Sequence, residues 1–221
     1  MTLSIVTGAN RGIGLGLVKA LRARGDKVLA ACRTTSPELE RTGAEVVTEV
    51  DVAVPEGIAR LKNAVGDRSI ALLINNAGIL LESARLGALD AAELQKQFEV
   101  NALGPLLLTS ALCERFRKGT KLGFITSRMG SIGDNGSGGY YGYRMSKAAL
   151  NIAAVSIARD LASRGVSVAV LHPGMVSTDM IGGRGQVGPD EAAAGLLARL
   201  DELTPETSGT FWHAKGDVLP W

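Results

Sequence analysis

Short apolar runs alternate along this chain with longer stretches in which apolar residues recur every three or four positions. The runs Leu3–Val6, Val28–Cys32, Glu45–Val50, Ile70–Ile74, Leu122–Thr126 and Val166–Leu171 have the length of buried strands, and Thr210–His213 adds a short last one. Between the first two runs, Ile13–Arg24 sets Leu17, Val18 and Leu21 on one helical face and stops at Gly25. A second helical pattern carries Leu94, Phe98 and Asn101, passes Pro105 and runs toward Glu114. Two more cover Tyr143–Arg164, closed by Gly165, and Pro189–Leu200. Strands separated by helices require right-handed crossovers and pair in parallel. The pattern predicts an α/β fold: one doubly wound parallel sheet of about seven strands, helices on both faces, and a single domain over residues 1–221.

In such a sheet the ligand lies beyond the carboxyl ends of the strands. The residues expected there are Thr7–Gly14, Cys32-Arg33, Asp51, Asn75–Gly78, Thr126-Ser127 and His172-Pro173-Gly174, so the glycine-rich and polar clusters share one rim. Gly8, Gly12 and Gly14 make a G-x-x-x-G-x-G turn at the start of the first helix. Glycine permits positive φ and close backbone approach, and a helix N-terminus offers unpaired N–H groups to phosphate. A ligand-free turn would look the same in isolation. Its position after the first strand favours a Rossmann-type dinucleotide site. The second strand ends Ala31-Cys32-Arg33, with no carboxylate to take the ribose hydroxyls of NAD. Arg33, with Arg11 from the glycine turn, can instead fork onto a 2′-phosphate, which selects NADP(H) over NAD(H), although either arginine could be an ordinary solvated charge.

Composition narrows the class by exclusion. The 221 residues carry a formal net charge of +2 with both signs scattered, which gives no basic stripe for nucleic acid. Two cysteines, Cys32 and Cys113, and two histidines, His172 and His213, lie far apart, so no disulfide framework or metal-ligand spacing is expected. No apolar stretch approaches the ~20 residues of a membrane span. Strand-like sequence from Leu3 leaves no room for a signal peptide, so a cytoplasmic protein is expected.

Tyr143 and Lys147 stand at i and i+4, on one face of their helix. By itself such a pair fits a solvated helix. Beside a nicotinamide it becomes a proton donor held near an ammonium. A free phenol titrates at about 10, so operation near 7 would require roughly 4 kcal/mol of differential stabilisation, for which the Lys147 charge and the nicotinamide's positive charge after hydride transfer are the expected sources. Ser127, at the end of the fifth apolar run, would hold a carbonyl oxygen for Tyr143 to protonate. Ser131 lies closer to Tyr143 in sequence, but it sits in a glycine-bearing loop, whereas a strand fixes Ser127.

Taken together and in this order, the T-G-x-x-x-G-x-G turn, Asn75-Asn76-Ala77-Gly78, Asn101, Ile125-Thr126-Ser127, Tyr143-x-x-x-Lys147 and Pro173-Gly174 resemble the short-chain dehydrogenase/reductase family. Ser127-Arg128-Met129-Gly130-Ser131, Tyr143-Arg144-Met145-Ser146-Lys147, Leu171-His172-Pro173-Gly174 and the Leu219-Pro220-Trp221 ending are similar to the C-factor and sniffer-type carbonyl reductases within it. The resemblance implies NADP(H)-dependent reduction of a carbonyl, or oxidation of the corresponding alcohol. Asn101, Ser127, Tyr143 and Lys147 would be catalytic, with Asn101 holding a water that relays protons from Lys147. Gly8, Asn10, Arg11, Gly12, Ile13, Gly14, Arg33 and Asn76 would bind cofactor, together with Tyr143 and Lys147. Asp51 and Val52 would contact adenine, Ala77 and Gly78 the ribose, and Pro173, Val176 and Thr178 the carboxamide and pyrophosphate.

Other features stay open at this level. His172 is expected to be a satisfied strand-end residue. Tyr140, Tyr141, Met175, Met180 and Trp212 either edge a substrate pocket or pack. The compact Asp179–Gly188 segment implies a shallow pocket, suited to a bulky or peptide-linked carbonyl. A dinucleotide-binding regulatory protein with incidental turnover is the alternative, with an extended-family epimerase the weaker one. Helix patterns at Leu94–Glu114 and Tyr143–Arg164 would allow a homodimer or homotetramer.

Overall fold

The computed structural model describes residues 3–81 and 86–221. Seven strands, β1 (Leu3–Thr7), β2 (Val28–Ala31), β3 (Glu45–Val47), β4 (Ile70–Asn75), β5 (Phe116–Ile125), β6 (Ser167–His172) and β7 (Thr210–His213), form one sheet in the order β3-β2-β1-β4-β5-β6-β7. Every strand pair is parallel. The helices are α1 (Gly12–Ala23), α2 (Pro37–Glu40), α3 (Pro55–Val65), α4 (Ala91–Phe98), α5 (Gly104–Leu112), α6 (Tyr141–Leu161) and α7 (Pro189–Glu202).

Alternation along each strand divides the core into two layers. Ile5, Leu29, Leu73, Phe124 and Val170 point to one face and meet Ile58 and Leu61 of α3, Leu108 and Leu112 of α5, and Leu150 of α6. Their neighbours Val6, Ala30, Ile74, Ile125 and Leu171 point to the other face, against Leu17 and Leu21 of α1 and Leu196 and Leu197 of α7. A sheet buried on both faces reads as continuous apolar sequence, which is why these strands were visible as runs.

Two strand boundaries are corrected. Glu45–Val50 is strand only to Val47, because Glu49 takes φ +57° and turns the chain, although Val50 N–H still bonds Cys32 O at 3.0 Å. Leu122–Thr126 begins earlier, at Phe116, and ends at Ile125. Its early part bulges at Gly119 (φ +89°), where Thr120 Oγ1 donates to Ile70 O at 2.7 Å. The helical pattern through Asn101 is also not continuous α-helix. Glu99–Leu103 is a π-turn joining α4 to α5.

The strand order reverses between β1 and β4, whose chains leave the sheet in opposite directions and open a crevice at its carboxyl rim. The glycine turn follows β1 and Asn76-Ala77-Gly78 follows β4, so both stand on the crevice walls.

Candidate active site

The first wall is built by close packing. Gly8 and Gly12 take φ +64° and +53°. A β-carbon on Gly14 would collide with the carbonyl of Gly8, and one on Gly8 would lie 2.9 Å from Ala77 Cα. Thr7 Oγ1 receives the N–H groups of Asn76 and Ala77, each at 3.0 Å, and Asn76 Nδ2 donates to Thr7 O at 2.8 Å. These bonds clamp the two walls together across the reversal point. Above them, α1 begins with no side-chain cap and no acidic residue in its first turn. Its terminal N–H groups and positive dipole end are uncompensated by the chain, which fits a bound pyrophosphate.

Asn10 and Ile13 lie in this turn, and Ser36 Oγ donates to Asn10 O at 2.8 Å, tying the segment after β2 to it. Arg33 is exposed at the end of β2, beside that segment. Arg11, expected to reach the same phosphate, pairs with Asp179 at 2.9 Å in an exposed ion pair. Asp51 and Val52 follow β3; Asp51 Oδ1 accepts from Ala53 N–H at 2.9 Å, and Val52 is buried against Gly104. Pro173, Val176 and Thr178 follow β6. Val176 bridges Val187, and a β-carbon on Gly12 would lie 3.2 Å from Thr178 Cγ2, so the segment folds over the glycine turn. A 3-10 turn at Asp179–Ile181 closes it compactly, as its shortness predicted.

On the other side of the crevice Ser127, Tyr143 and Lys147 converge. Ser127 leaves β5, is 8 % exposed, and its hydroxyl accepts from Met129 N–H at 3.1 Å and lies near enough to the Tyr143 phenol to favour its ionised form. Ser131 instead accepts from Asp134 N–H at 3.0 Å, capping a turn. Lys147, 4 % exposed, lies beneath Tyr143, its Nζ 5.7 Å from the ring centroid and donating to Ile125 O at 2.9 Å. Burial lowers its pKa to about 8. In the chain alone burial pushes the Tyr143 phenol up to about 12, offset in part by the neighbouring Ser127 hydroxyl. The cause is that desolvation of a phenolate outweighs a lysine whose own charge is disfavoured by the same burial.

Asn101 is fully buried in the π-turn. Its Oδ1 accepts from Ile79 N–H and its Nδ2 donates to Ile79 O, both at 2.8 Å, with a further bond to Ser146 Oγ at 3.0 Å. Ser146 Oγ donates in turn to Tyr143 O at 2.8 Å. Asn101 thus staples the loop after β4 to the helix of Tyr143. Its Oδ1 and Lys147 Nζ both flank Gly78, at 3.2 and 3.6 Å from the position a β-carbon there would take. Helical irregularities of this kind concentrate where a side chain is re-aimed for function.

Three polar residues given no role of their own in the sequence hold the site in shape. Thr7 breaks the apolar run of β1 at its last position, a signal available in the sequence. Ser146, and Asn151, which accepts from Thr126 Oγ1 at 2.7 Å, carry no such signal because their partners are remote in sequence. His172 ends β6 as expected but is not satisfied. Its Nδ1 is buried without a partner, its ring stands edge-on to His213 at 5.0 Å, and burial, with His213 and Arg128 nearby, lowers its pKa to about 4.

Comparison with known proteins agrees with this geometry. Residues 2–186 match the family model of short chain dehydrogenases. The chain is 40% identical over 227 residues to 1-hydroxy-2-glutathionyl-2-methyl-3-butene dehydrogenase of Rhodococcus sp. (strain AD45), covering all of both chains. It is 44% identical over 152 residues to C-signal of Myxococcus xanthus, covering 68% of this chain and 92% of that protein. The structure resembles carbonyl reductase Sniffer of D. melanogaster with a TM-score of 0.88 at 29% identity, over 100% and 99% of the two chains. It also resembles an NADPH-bound carbonyl reductase from chicken fatty liver, TM-score 0.87 at 30% identity over 100% and 98%. With its parallel sheet, its glycine turn and the convergence of Ser127, Tyr143 and Lys147 at one rim, the chain belongs to the short-chain dehydrogenase family.

Proposed function

We propose that this protein is an NADP(H)-dependent carbonyl reductase in which Tyr143 gives the proton and Ser127 holds the oxygen that receives it. The observation that carries the reading is the convergence of Ser127 and Tyr143 over the buried Lys147, whose Nζ lies 5.7 Å from the Tyr143 ring centroid. The nicotinamide of a dinucleotide held at the glycine turn would supply the hydride that reduces the carbonyl carbon. As that carbon is reduced, its oxygen becomes far more basic than a phenolate, so proton transfer from Tyr143 runs downhill. A phenol held near 12 stays protonated at neutral pH, which is the form reduction requires. Ser127, fixed by Met129 N–H, offers its hydroxyl to the same oxygen without reorganising. Lys147 and Asn101 hold the floor of the site beside Gly78. In the reverse direction burial opposes formation of the phenolate, so alcohol oxidation would depend on added positive charge next to Tyr143.

The uncapped, acid-free start of α1 supports a dinucleotide, and the absence of a carboxylate at the end of β2 supports NADP(H) through Arg33. The NADPH-bound chicken relative is consistent with that preference. A regulatory binding protein would need none of Ser127, Tyr143 and Lys147. Turnover of a panel of aldehydes and ketones with NADPH and with NADH tests the reading. The panel should include the aldehyde of a glutathione-linked primary alcohol, given the Rhodococcus relative's name. NADPH should be preferred, and Arg33→Asp should move the preference toward NADH. Tight NADPH binding with no turnover of any carbonyl would contradict it.

A further inference from the structure

Between Ser127 and Tyr143 the chain runs through a segment, residues 132–140, that is exposed throughout and gains nothing from burial. It ends in three successive left-handed residues, Gly138 (φ +62°), Gly139 (φ +67°) and Tyr140 (φ +50°), the last a conformation that a residue with a side chain adopts only under constraint. Tyr140 then starts α6 without a side-chain cap. Tyr143 sits in the first turn of a helix whose N-terminus is anchored through this loop.

The constraint comes from Arg144, the residue after Tyr143. Its Nε donates to Gly138 O at 3.3 Å and Gly139 O at 3.1 Å, its Nη2 to Ser137 Oγ at 2.9 Å, and its Nη1 to Met129 O at 3.3 Å. The first three bonds collect the loop around the start of α6. The fourth crosses to the 3-10 turn Arg128–Gly130, whose cap is Ser127. Met129 is therefore held from both ends, its N–H by Ser127 Oγ and its carbonyl by Arg144. All four acceptors are neutral, so the guanidinium spends its planar fork on geometry and no carboxylate competes for it.

We propose that Arg144 is a positioning residue that sets the distance and orientation of Ser127 relative to Tyr143, acting through Met129. The proposal rests on the reading of Ser127 and Tyr143 as the reacting pair. A displacement of about 1 Å between groups that share one substrate oxygen can cost roughly 10²-fold in rate. Arg144 does not touch the oxygen itself, and its removal should leave the dinucleotide walls, on the other side of the crevice, unchanged.

The test is a double-mutant cycle with para-nitrobenzaldehyde and NADPH. Arg144→Met should lower kcat by roughly 10–10²-fold, with the NADPH Kd within about twofold of the parent. Placed on Ser127→Ala, the same change should cost almost nothing more, because its effect passes through Ser127. Added guanidinium should restore part of the rate to Arg144→Met and none to the double variant. Arg144→Lys keeps the charge but not the fork; it should behave like Arg144→Met and serves the cycle if the methionine variant does not fold. An unchanged kcat in Arg144→Met, or an equal loss with and without Ser127, overturns the proposal. If Tyr143→Phe and Ser127→Ala are crippled while Arg144→Met is normal, this inference alone falls. If Tyr143→Phe keeps its rate, the reading beneath it falls.

Discussion

Ser127 and Ser131 differ by four positions and by what their hydroxyls do. Ser127 meets Tyr143, whereas Ser131 is spent on Asp134 N–H inside its own turn. Ser127→Ala should therefore lower kcat by about 10²–10³-fold, the usual loss for one oxyanion donor, and Ser131→Ala should leave it near the parent value. Steady-state rates of the two variants at saturating NADPH decide this. Lys147 makes a pH prediction. Its ammonium is present below about 8 and lost above it, so kcat/KM for reduction should fall above pH 8. Lys147→Arg should carry that limb to higher pH. The same shift acts on folding in a defined direction. The unfolded lysine, with its ordinary value of 10.5, holds its proton longer than the folded one, so this group adds stability as pH rises from about 8 to about 10.5. Tyr143, Lys147 and the glycines could be read from spacing because helix and turn geometry are local. The rise in the Tyr143 pKa could not, because it depends on how much chain covers the ring.

At the scale of elements, strands buried on both faces and helices with one apolar stripe were legible because their periods differ. α3 has no counterpart among the expected elements, although Pro55 at its first position and Ile58, Leu61 and Val65 at helical spacing mark it. The π-turn at Glu99–Leu103 has no signature of that kind, since one displaced hydrogen bond makes it and packing against α6 and the loop after β4 selects it. The outer faces of these helices carry a prediction of their own. Phe98, Leu103 and Leu107 on the α4–α5 segment are 38%, 38% and 52% exposed, and Met145 and Ile152 on α6 are 59% and 66% exposed. Apolar residues left open on adjacent helices suit a two-fold contact between copies. Light scattering after size exclusion should give a homodimer or homotetramer, and Leu107→Arg with Ile152→Arg should shift it toward monomer. A parent that is monomeric at all concentrations would remove this surface from consideration.

At the scale of the whole molecule, the parallel sheet gathers residues from the ends of β1, β2, β4, β5 and β6 at one rim, so a chain-long motif order translates directly into a site. Contacts across the rim were the illegible part: the Thr7–Asn76 clamp, the Arg11–Asp179 pair and the Asn101–Ile79 staple join segments with no shared local pattern. No helix among the described residues is long and apolar enough to cross a membrane. On the proposed function, this assembled rim delivers one proton from Tyr143 to the carbonyl oxygen. Tyr143→Phe keeps the ring and its packing and removes only the hydroxyl that carries that proton, so its kcat is measured beside its NADPH Kd. The rate should drop by roughly 10²–10⁴-fold with affinity nearly intact. A Tyr143→Phe enzyme that reduces carbonyls at the parent rate would contradict the account.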